Sequence, residues 1–456
     1  MSKWIFPPVR LDSLRRGAAA ALWASLLTTF ASAPPVLHCQ TGNPLAPPEP
    51  AKTSRSKTAQ PAQTPVQASQ PPSFAIPVAP LGFANPSPFY LGQRNTLVSL
   101  DFLDEDRLLF TFRVPGLMHR DPTASAAGDE RQIRAVVLSL PRGALLAEAL
   151  WTLHDRSRYL WMLKDGHFLL RDGNEVRMGD ASLELKPTLQ FPGQLLGLEP
   201  DPSLHYLVAV SHEPAENKTG GELNAAAQAA VSAGNEKPDA ARDFMLRIVH
   251  RDSGQVMLES RTAGYYHLAI NGQGYLDSQR GRGLEWSLYL NYFTGGRTAL
   301  GSVTSTCAPR FDFLSENEVL ALLCDTLGGR KLQALATDGR HLWQSFAPDT
   351  AIWSQTVPAP NGSRLARESL TVAHPPDARN PLSIDDIRGQ QIEVFDAADG
   401  HRALTVQAAP VFDAGGNVAF SPSGRRVAVL SGGGIQIFEL PEAPAVPAST
   451  ENHFGR

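Results

Sequence analysis

Seven times along this chain, an alternating apolar segment runs into a turn and back out again. The first is SLDFLDEDRLLFTF at 99–112, followed by YLWMLKDGHFLLRD at 159–172 and LGLEPDPSLHYLVAV at 196–210. HLAINGQGYLDSQ at 267–279, FDFLSENEVLALLCD at 311–325, QTVPAPNGSRLARES at 355–369 and VAFSPSGRRVAVLS at 418–431 complete the set. Successive side chains of a strand point to opposite faces, so such alternation around Asp, Gly, Asn, Pro or Ser turns means antiparallel hairpins. A second hairpin follows six of them. These are AVVLSLPRGALLAEALW from Ala135, EVRMGDASLELKPTLQF from Glu175, LRIVHRDSGQVMLES from Leu246, LYLNYFTGGRTALGSV from Leu288, LQALATDGRHLWQSF from Leu332 and IEVFDAADGHRALTV from Ile392. Gly143, Gly254, Gly296, Gly339 and Gly400 sit at turns where a positive φ is expected.

Hairpin plus hairpin makes a four-stranded antiparallel sheet. Sheets repeating at roughly 40–50 residues are the blades of a propeller. The sequence therefore predicts an all-β protein, a single β-propeller over 87–442 with seven four-stranded blades. The last unit ends in GIQIFELPE at 434–442, one strand where two are due. A ring must lock its two ends, and an N-terminal outer strand drawn from SPFYLGQRNTL at 87–97 is expected to supply the missing one. Closure removes the sheet edge that an open array would expose. Longer gaps fall at 213–242 and 374–388, polar or small-residue stretches that extend loops. Within the first, ELNAAAQAAVS at 222–232 has helical composition.

VAFSPSGRRVAVLSGGGIQIFEL at 418–440 resembles a blade of WD40-like or TolB-like propellers. LRIVHRDSGQVML and IEVFDAADGHRAL resemble hairpins of WD40, YVTN and quinoprotein propellers. The resemblance covers 97–442 as architecture and implies the fold alone, because propellers host many unrelated functions.

At the N-terminus, Lys3, Arg10, Arg15 and Arg16 precede the apolar stretch AAAALWASLLTTFASA at 18–33, which ends on Ala31-Ser32-Ala33. A basic region, an apolar region and a small-residue end form the pattern of a secretory signal over 1–33. The stretch is shorter than the ~20 residues of a membrane span. Pro34 follows directly, so two readings stay open: a cleaved signal, or a retained anchor. The segment 34–86, rich in Pro, Ala, Ser, Thr and Gln, reads as a disordered linker, and 443–456 as a disordered tail. The protein is expected outside the cytoplasm, periplasmic or extracellular.

A formal net charge of -4 offers no basic field for nucleic acid or an anionic membrane. No G-x-S-x-G elbow, H-E-x-x-H, P-loop or dinucleotide fingerprint occurs. His167, His205, His267, His341 and His401 lie on strands and turns without ligand spacing and read as structural or surface residues. Asp104-Glu105-Asp106 and Asp385-Asp386 read as solvated turn residues, with calcium as the alternative. Trp343 follows a turn glycine as in quinoprotein hairpins, but it does so once, which points to packing between blades rather than to a quinone. No cofactor or metal is expected. Asn217-Lys218-Thr219 and Asn361-Gly362-Ser363 match the N-glycosylation sequon, a pattern frequent by chance. Among three cysteines, Cys307 and Cys324 fall nearly opposite on paired strands, within reach of a disulfide; two separate thiols are the other reading.

Together these features describe an exported, monomeric binding or scaffolding module without catalytic residues. Its loop face would take a protein, a peptide or a glycan. It would take no nucleic acid, and would touch a membrane only through an uncleaved N-terminal segment. The alternative is a propeller-type hydrolase or lyase, with carboxylates or histidines from separate blades converging at the channel mouth. Three or more His, Asp or Glu there would favour the enzyme, and a mixed or apolar lining would favour binding.

Overall fold

A computed structural model describes residues 70–85, 97–114, 130–154, 158–213, 244–262, 267–326, 329–375, 383–412 and 416–444. Their strands form seven antiparallel sheets, six of four strands and one of three. In chain order the blades are blade 1 (98–153), blade 2 (160–190), blade 3 (194–262), blade 4 (267–304), blade 5 (310–347), blade 6 (351–408) and blade 7 (418–439). The chain is a seven-bladed β-propeller.

The middle strands explain why the sheets stack. Arg107–Arg113, Tyr206–His212 and Phe244–His250 are each buried at all five central positions. Both faces of such a strand meet a neighbouring blade, so LLFTF, LVAVS and MLRIV are close to continuously apolar. Outer strands such as Val256–Thr262 are mostly exposed. The buried apolar residues divide into seven clusters, one at each interface between consecutive blades. Each cluster takes residues from two sheets, so no blade has a core of its own.

Blade 4 is the sheet with three strands. Its innermost strand is cut to a short segment, His267–Ile270, held by one bridge from Ile270 to Tyr275 and by a bond from Leu276 N to Ala269 O of 2.9 Å. The hairpin read at 267–279 is therefore present, with a shortened first arm.

The ring closes through an N-terminal outer strand, but not the expected one. Phe74–Pro77 pairs antiparallel with Gly434–Glu439, from Phe74 opposite Ile437 to Pro77 opposite Gly434. This places the closing strand inside 34–86, the segment read as linker, and ahead of 87–97, of which only Leu97 is among the described residues. The physical reason is partner choice. Ile76 drops into the cluster between blades 7 and 1, against Leu100, Phe110, Ile435 and Ile437. Its turn-side neighbour Gly143 has φ 68°, and a Cβ there would lie 2.6 Å from Ile76 Cγ2. The propeller boundary accordingly moves back to about Phe74. The signal segment, the helix expected at 222–232, Asn217 and the tail from 445 lie outside the described residues.

Polar contacts reinforce the joint. Glu105 accepts from Ser423 N at 2.7 Å, and Arg426 Nη1 donates to Glu105 O at 2.6 Å, linking blade 1 to blade 7. Arg364, fully buried on blade 6, donates to Asp396 at 2.9 Å and reaches Gly424 O and Pro441 O of the last blade. In blade 5 the structure joins Cys307 to Cys324, with Cα atoms 5.5 Å apart.

Ile76 is 3% exposed. Replacing it with Ala is expected to cost about 2–4 kcal/mol, the range of buried large-to-small changes. Truncating 41–69 ahead of it should leave the unfolding midpoint unchanged. Urea unfolding of both variants checks the pair, and equal midpoints would remove Phe74–Pro77 from the closure.

Candidate functional site

The innermost strands of all seven blades surround a central cavity of about 730 Å³. Side chains on these strands alternate between the lumen and the blade interfaces. The polar residue inside each short apolar strand is the one that reaches the lumen wall. Asp101 comes from blade 1, Glu199 from blade 3, His267 from blade 4, Asp312 from blade 5 and Thr356 from blade 6. Arg158 and Trp161 enter from blade 2, and Ala419 from blade 7.

One polar group crosses the joint of blades 4, 5 and 6. His267 Nε2 lies 2.7 Å from Asp312 Oδ1 and 2.9 Å from Phe311 O. Thr356 Oγ1 donates to Asp312 Oδ2 at 3.4 Å, and Arg310 lies 3.7 Å from the same carboxylate. Burial acts against both charges. The hydrogen bond and charge between the two partners outweigh it, holding His267 above and Asp312 below their ordinary values.

Asp101 behaves in the opposite way. Burial within the channel wall pushes its carboxyl up to about 6, against the hydrogen bond from Ser99 Oγ at 2.6 Å and the charge of Arg158. Nearby, the Tyr159 hydroxyl shares a 2.5 Å hydrogen bond with Thr111. Burial first, and the Asp101 charge after it, push that phenol up as well.

Behind the wall, between blades 6 and 7, Glu368 is fully buried. Burial pushes it up to about 8, against the charge of Arg158. Hydrogen-bond direction calls independently for the same proton. Gln390 is fixed by the backbone of Phe412, whose N donates to Oε1 at 2.9 Å and whose O accepts from Nε2 at 2.9 Å. Asn417 Nδ2 must then donate to Gln390 Oε1, at 2.8 Å. That leaves the Asn417 oxygen facing Glu368 at 3.2 and 3.3 Å. Turning the Asn417 amide over would set its oxygen against Gln390 Oε1 instead, so a proton on Glu368 is the arrangement that satisfies every group.

The other candidate residues have local partners. Asp104 accepts from Asp106 N at 2.9 Å and from Arg107 at 2.7 Å, and its neighbour Glu105 serves the joint of blades 1 and 7. Asp386 caps a short 3-10 turn through Ser383, 2.8 Å from both its N and its Oγ. His205 stacks on His250 with centroids 6.4 Å apart, while His341 and His401 are exposed and His167 sits in a hairpin turn. Trp343 packs on Phe395 of blade 6, donates to Ala397 O at 2.6 Å, and leaves no room for a Cβ at Gly400. Asn361 donates to Ser423 O at 2.6 Å, so its amide is engaged between blades 6 and 7. Among the described residues, no three His, Cys, Asp or Glu are grouped to hold a metal ion. His267, read from the sequence as structural or surface, lines the cavity, and sequence reasoning missed Asp101, Arg158, Trp161, Glu199 and Asp312 altogether. The available signal was shared by five hairpins: a polar residue within the first strand (Asp101, Glu199, His267, Asp312, Thr356) among apolar neighbours.

No protein-family model matches the chain. No curated protein matches it either. Solved propellers align along most of its length. The β-propeller domain of the trilobed protease from Pyrococcus furiosus is 11% identical, with 79% of this chain and 98% of that one covered at a TM-score of 0.41. The WD40 domain of Toxoplasma gondii coronin is 9% identical, with 76% and 81% covered at 0.40. The acylaminoacyl peptidase of Pyrococcus horikoshii is 10% identical, at a TM-score of 0.45; 77% of this chain aligns, spanning 52% of that protein, about half its length. At these values the likeness concerns the fold alone.

Glu368 gives a pH test. Its folded value lies above the ordinary 4.5, so its contribution is fully present below about pH 4.5 and is lost as pH rises through about 8. Glu368→Gln keeps a donor toward Asn417 and has no charge to bury. Its stability above pH 8 should exceed that of the parent by an amount on the order of a few kcal/mol. Urea midpoints from pH 5 to 9 check this, and parallel curves for the two proteins would show that Glu368 carries no such proton.

Proposed function

We propose that this chain is an exported propeller that binds a polar ligand, part of a peptide or a glycan, in its central channel. The observation that carries the reading is the channel itself. A cavity of about 730 Å³ is lined by residues from every blade, and charges of both signs from blades 1 to 5 stand among apolar and proline residues. That volume falls in the range of ligand sites, which run to roughly 300–1,000 Å³. A rigid ring supports recognition because the lining is ordered before the ligand arrives.

A second reading, a hydrolase or lyase, is favoured by one observation. Asp101, Glu199, His267 and Asp312 all line the cavity, and Asp101 titrates at about 6. Against it, His267 Nε2 is engaged by Asp312 and Phe311 O, and among the described residues no hydroxyl or thiol is hydrogen-bonded to His267. The binding reading therefore stands first. Peptide and oligosaccharide arrays probed with the parent and with Gln355→Trp, which fills the lumen, test it. Array members held by the parent should lose about tenfold or more in affinity in the filled variant, a change of ~1.4 kcal/mol. Hits indifferent to the filling would place recognition elsewhere. Turnover of an array member that Asp101→Asn abolishes would favour the enzyme.

Export draws support from the basic and apolar N-terminal pattern and from the Cys307–Cys324 bond, which suits an oxidising compartment. The bond is expected to stabilise by about 3 kcal/mol in the chain-entropy model. Non-reducing mass analysis of the exported protein should find Cys307 and Cys324 closed to alkylation. A Leu26→Arg, Leu27→Arg double variant should stay inside the cell with both thiols open. Unchanged fractionation of that variant would count against export.

A further inference from the structure

We infer that the channel ligand carries a carboxylate, and that Arg158 of blade 2, laid over Trp161, is the group that grips it. The inference rests on the reading of the channel as a binding site and names the chemistry of its ligand.

Most charges of the lining already have an answer within the protein. Asp312 is met by His267, Arg310 and Thr356. Asp201 is used by its own turn, accepting from Tyr206 N at 2.8 Å and from Ser203 N at 3.1 Å. Asp101 holds the Ser99 hydroxyl. Arg158 differs. Its guanidinium spends Nε on Leu160 O at 3.3 Å, and its carbon sits 5.3 Å from the centre of the Trp161 ring. Arg158 is exposed, and among the described residues no carboxylate comes within ion-pairing distance of it, so its terminal nitrogens are open to solvent and to a ligand. Lys164, two residues beyond Met162, adds a second cation to the same stretch of the lining.

The stacking matters because it settles the geometry beforehand. A guanidinium resting on an aromatic face and tied through Nε has lost most of its rotamer freedom. Its two remaining nitrogens form a fork of the shape that a carboxylate accepts. Trp161 supplies an independent sign. It lines the cavity, is 2% exposed, and its indole Nε1 is buried with no hydrogen-bond partner. Buried donors without partners are rare in folded proteins. The Arg158 fork lies on the cavity wall beside Trp161, and its two terminal nitrogens match an anionic oxygen pair. A phosphate is the poorer match, because Asp101, Asp165 and Glu199 share the lining and would repel a second negative charge.

A carboxylate comes from two sources, a small organic acid or the free C-terminus of a peptide, and the test separates them. Calorimetry on the full chain would use N-acetyl-Ala-Ala-Leu with a free C-terminus, the same peptide as its C-terminal amide, and sodium acetate. The free acid should bind, with the amide weaker by about tenfold or more. Arg158→Gln should lose the free acid by a similar factor while keeping the parent's melting curve. Arg158→Lys, which keeps the charge and the stem but not the fork, should fall between the two. Acetate competing for the site with no gain from the peptide would identify a small acid as the source. A large gain from the peptide would identify the C-terminus. Acid and amide binding equally well, both abolished by Gln355→Trp, would overturn the carboxylate inference and leave the channel reading standing. Failure of all three probes to bind, or Arg158→Gln binding the acid as tightly as the parent, would overturn it as well.

Discussion

Everything in this ring depends on a ladder of four residue pairs. Phe74 to Pro77 lie against Ile437 to Gly434, and there the two ends of the described chain meet. The other six sheets are built from neighbouring hairpins, and sequence order alone brings their strands together. Blade 7 is different, because its outer strand must come from the far end of the chain. Without it the propeller has two free faces, one on blade 7 and one on blade 1. The cluster containing Ile76, Leu100, Phe110 and Ile435 would then be opened to water. The contacts of Glu105, Arg426 and Arg364 gather at the interfaces flanking blade 7, where loss of packing would be felt first.

Blade number and strand pairing were legible because burial on both faces leaves a local trace. LLFTF and VAVLS are apolar runs bounded by turn residues, and each needs only a neighbour a few residues away to become a hairpin. The closing strand leaves no such trace. FAIP has four residues, one of them buried, and it sits among the prolines of a stretch that composition assigns to a linker. Its strand character comes from Gly434–Glu439, more than 350 residues further along, and local alternation carries no information about so distant a partner. SPFYLGQRNTL is the expected donor because it lies just before the first hairpin, and nearness along the chain does not set the partner of a closing strand. Blade 4 shows the converse case. HLAI reads as a full strand, yet His267 bonds across to Phe311 O of the next blade, and the segment keeps a single bridge to its own sheet.

The channel residues leave a local trace in the sequence, but nothing in it marks Asp101, Glu199 or Asp312 as parts of one site. Period-2 alternation tells that Asp101 and Asp312 leave the faces occupied by Leu100 and Phe313. It does not tell that Asp312 of blade 5 meets His267 of blade 4 and Thr356 of blade 6. That meeting is set by the curvature of the ring, a property of seven sheets together. The same holds for Trp161, whose missing hydrogen bond is visible only once its surroundings are in place.

The two lumen aspartates show what decides charge in such a channel. Both are enclosed, and burial raises both. Asp312 nevertheless falls below its ordinary value, because a histidine cation lies 2.7 Å away and an arginine 3.7 Å away. Asp101 has a hydroxyl at 2.6 Å and a cation only at longer range, and it rises to about 6. A neutral hydrogen bond offsets part of the desolvation, and a close opposite charge exceeds it. Glu368 completes the series, with amide partners and the distant Arg158 charge, and it rises furthest, to about 8. Arg158 acts on Asp101 in blade 1 and on Glu368 in blade 6, the two blades that flank the closing sheet. An anion bound to Arg158 would cancel part of that field and favour the protonated form of both acids. A ligand held at Arg158 would thus bear on the charge of the buried Glu368 beside blade 7 through the field of one guanidinium.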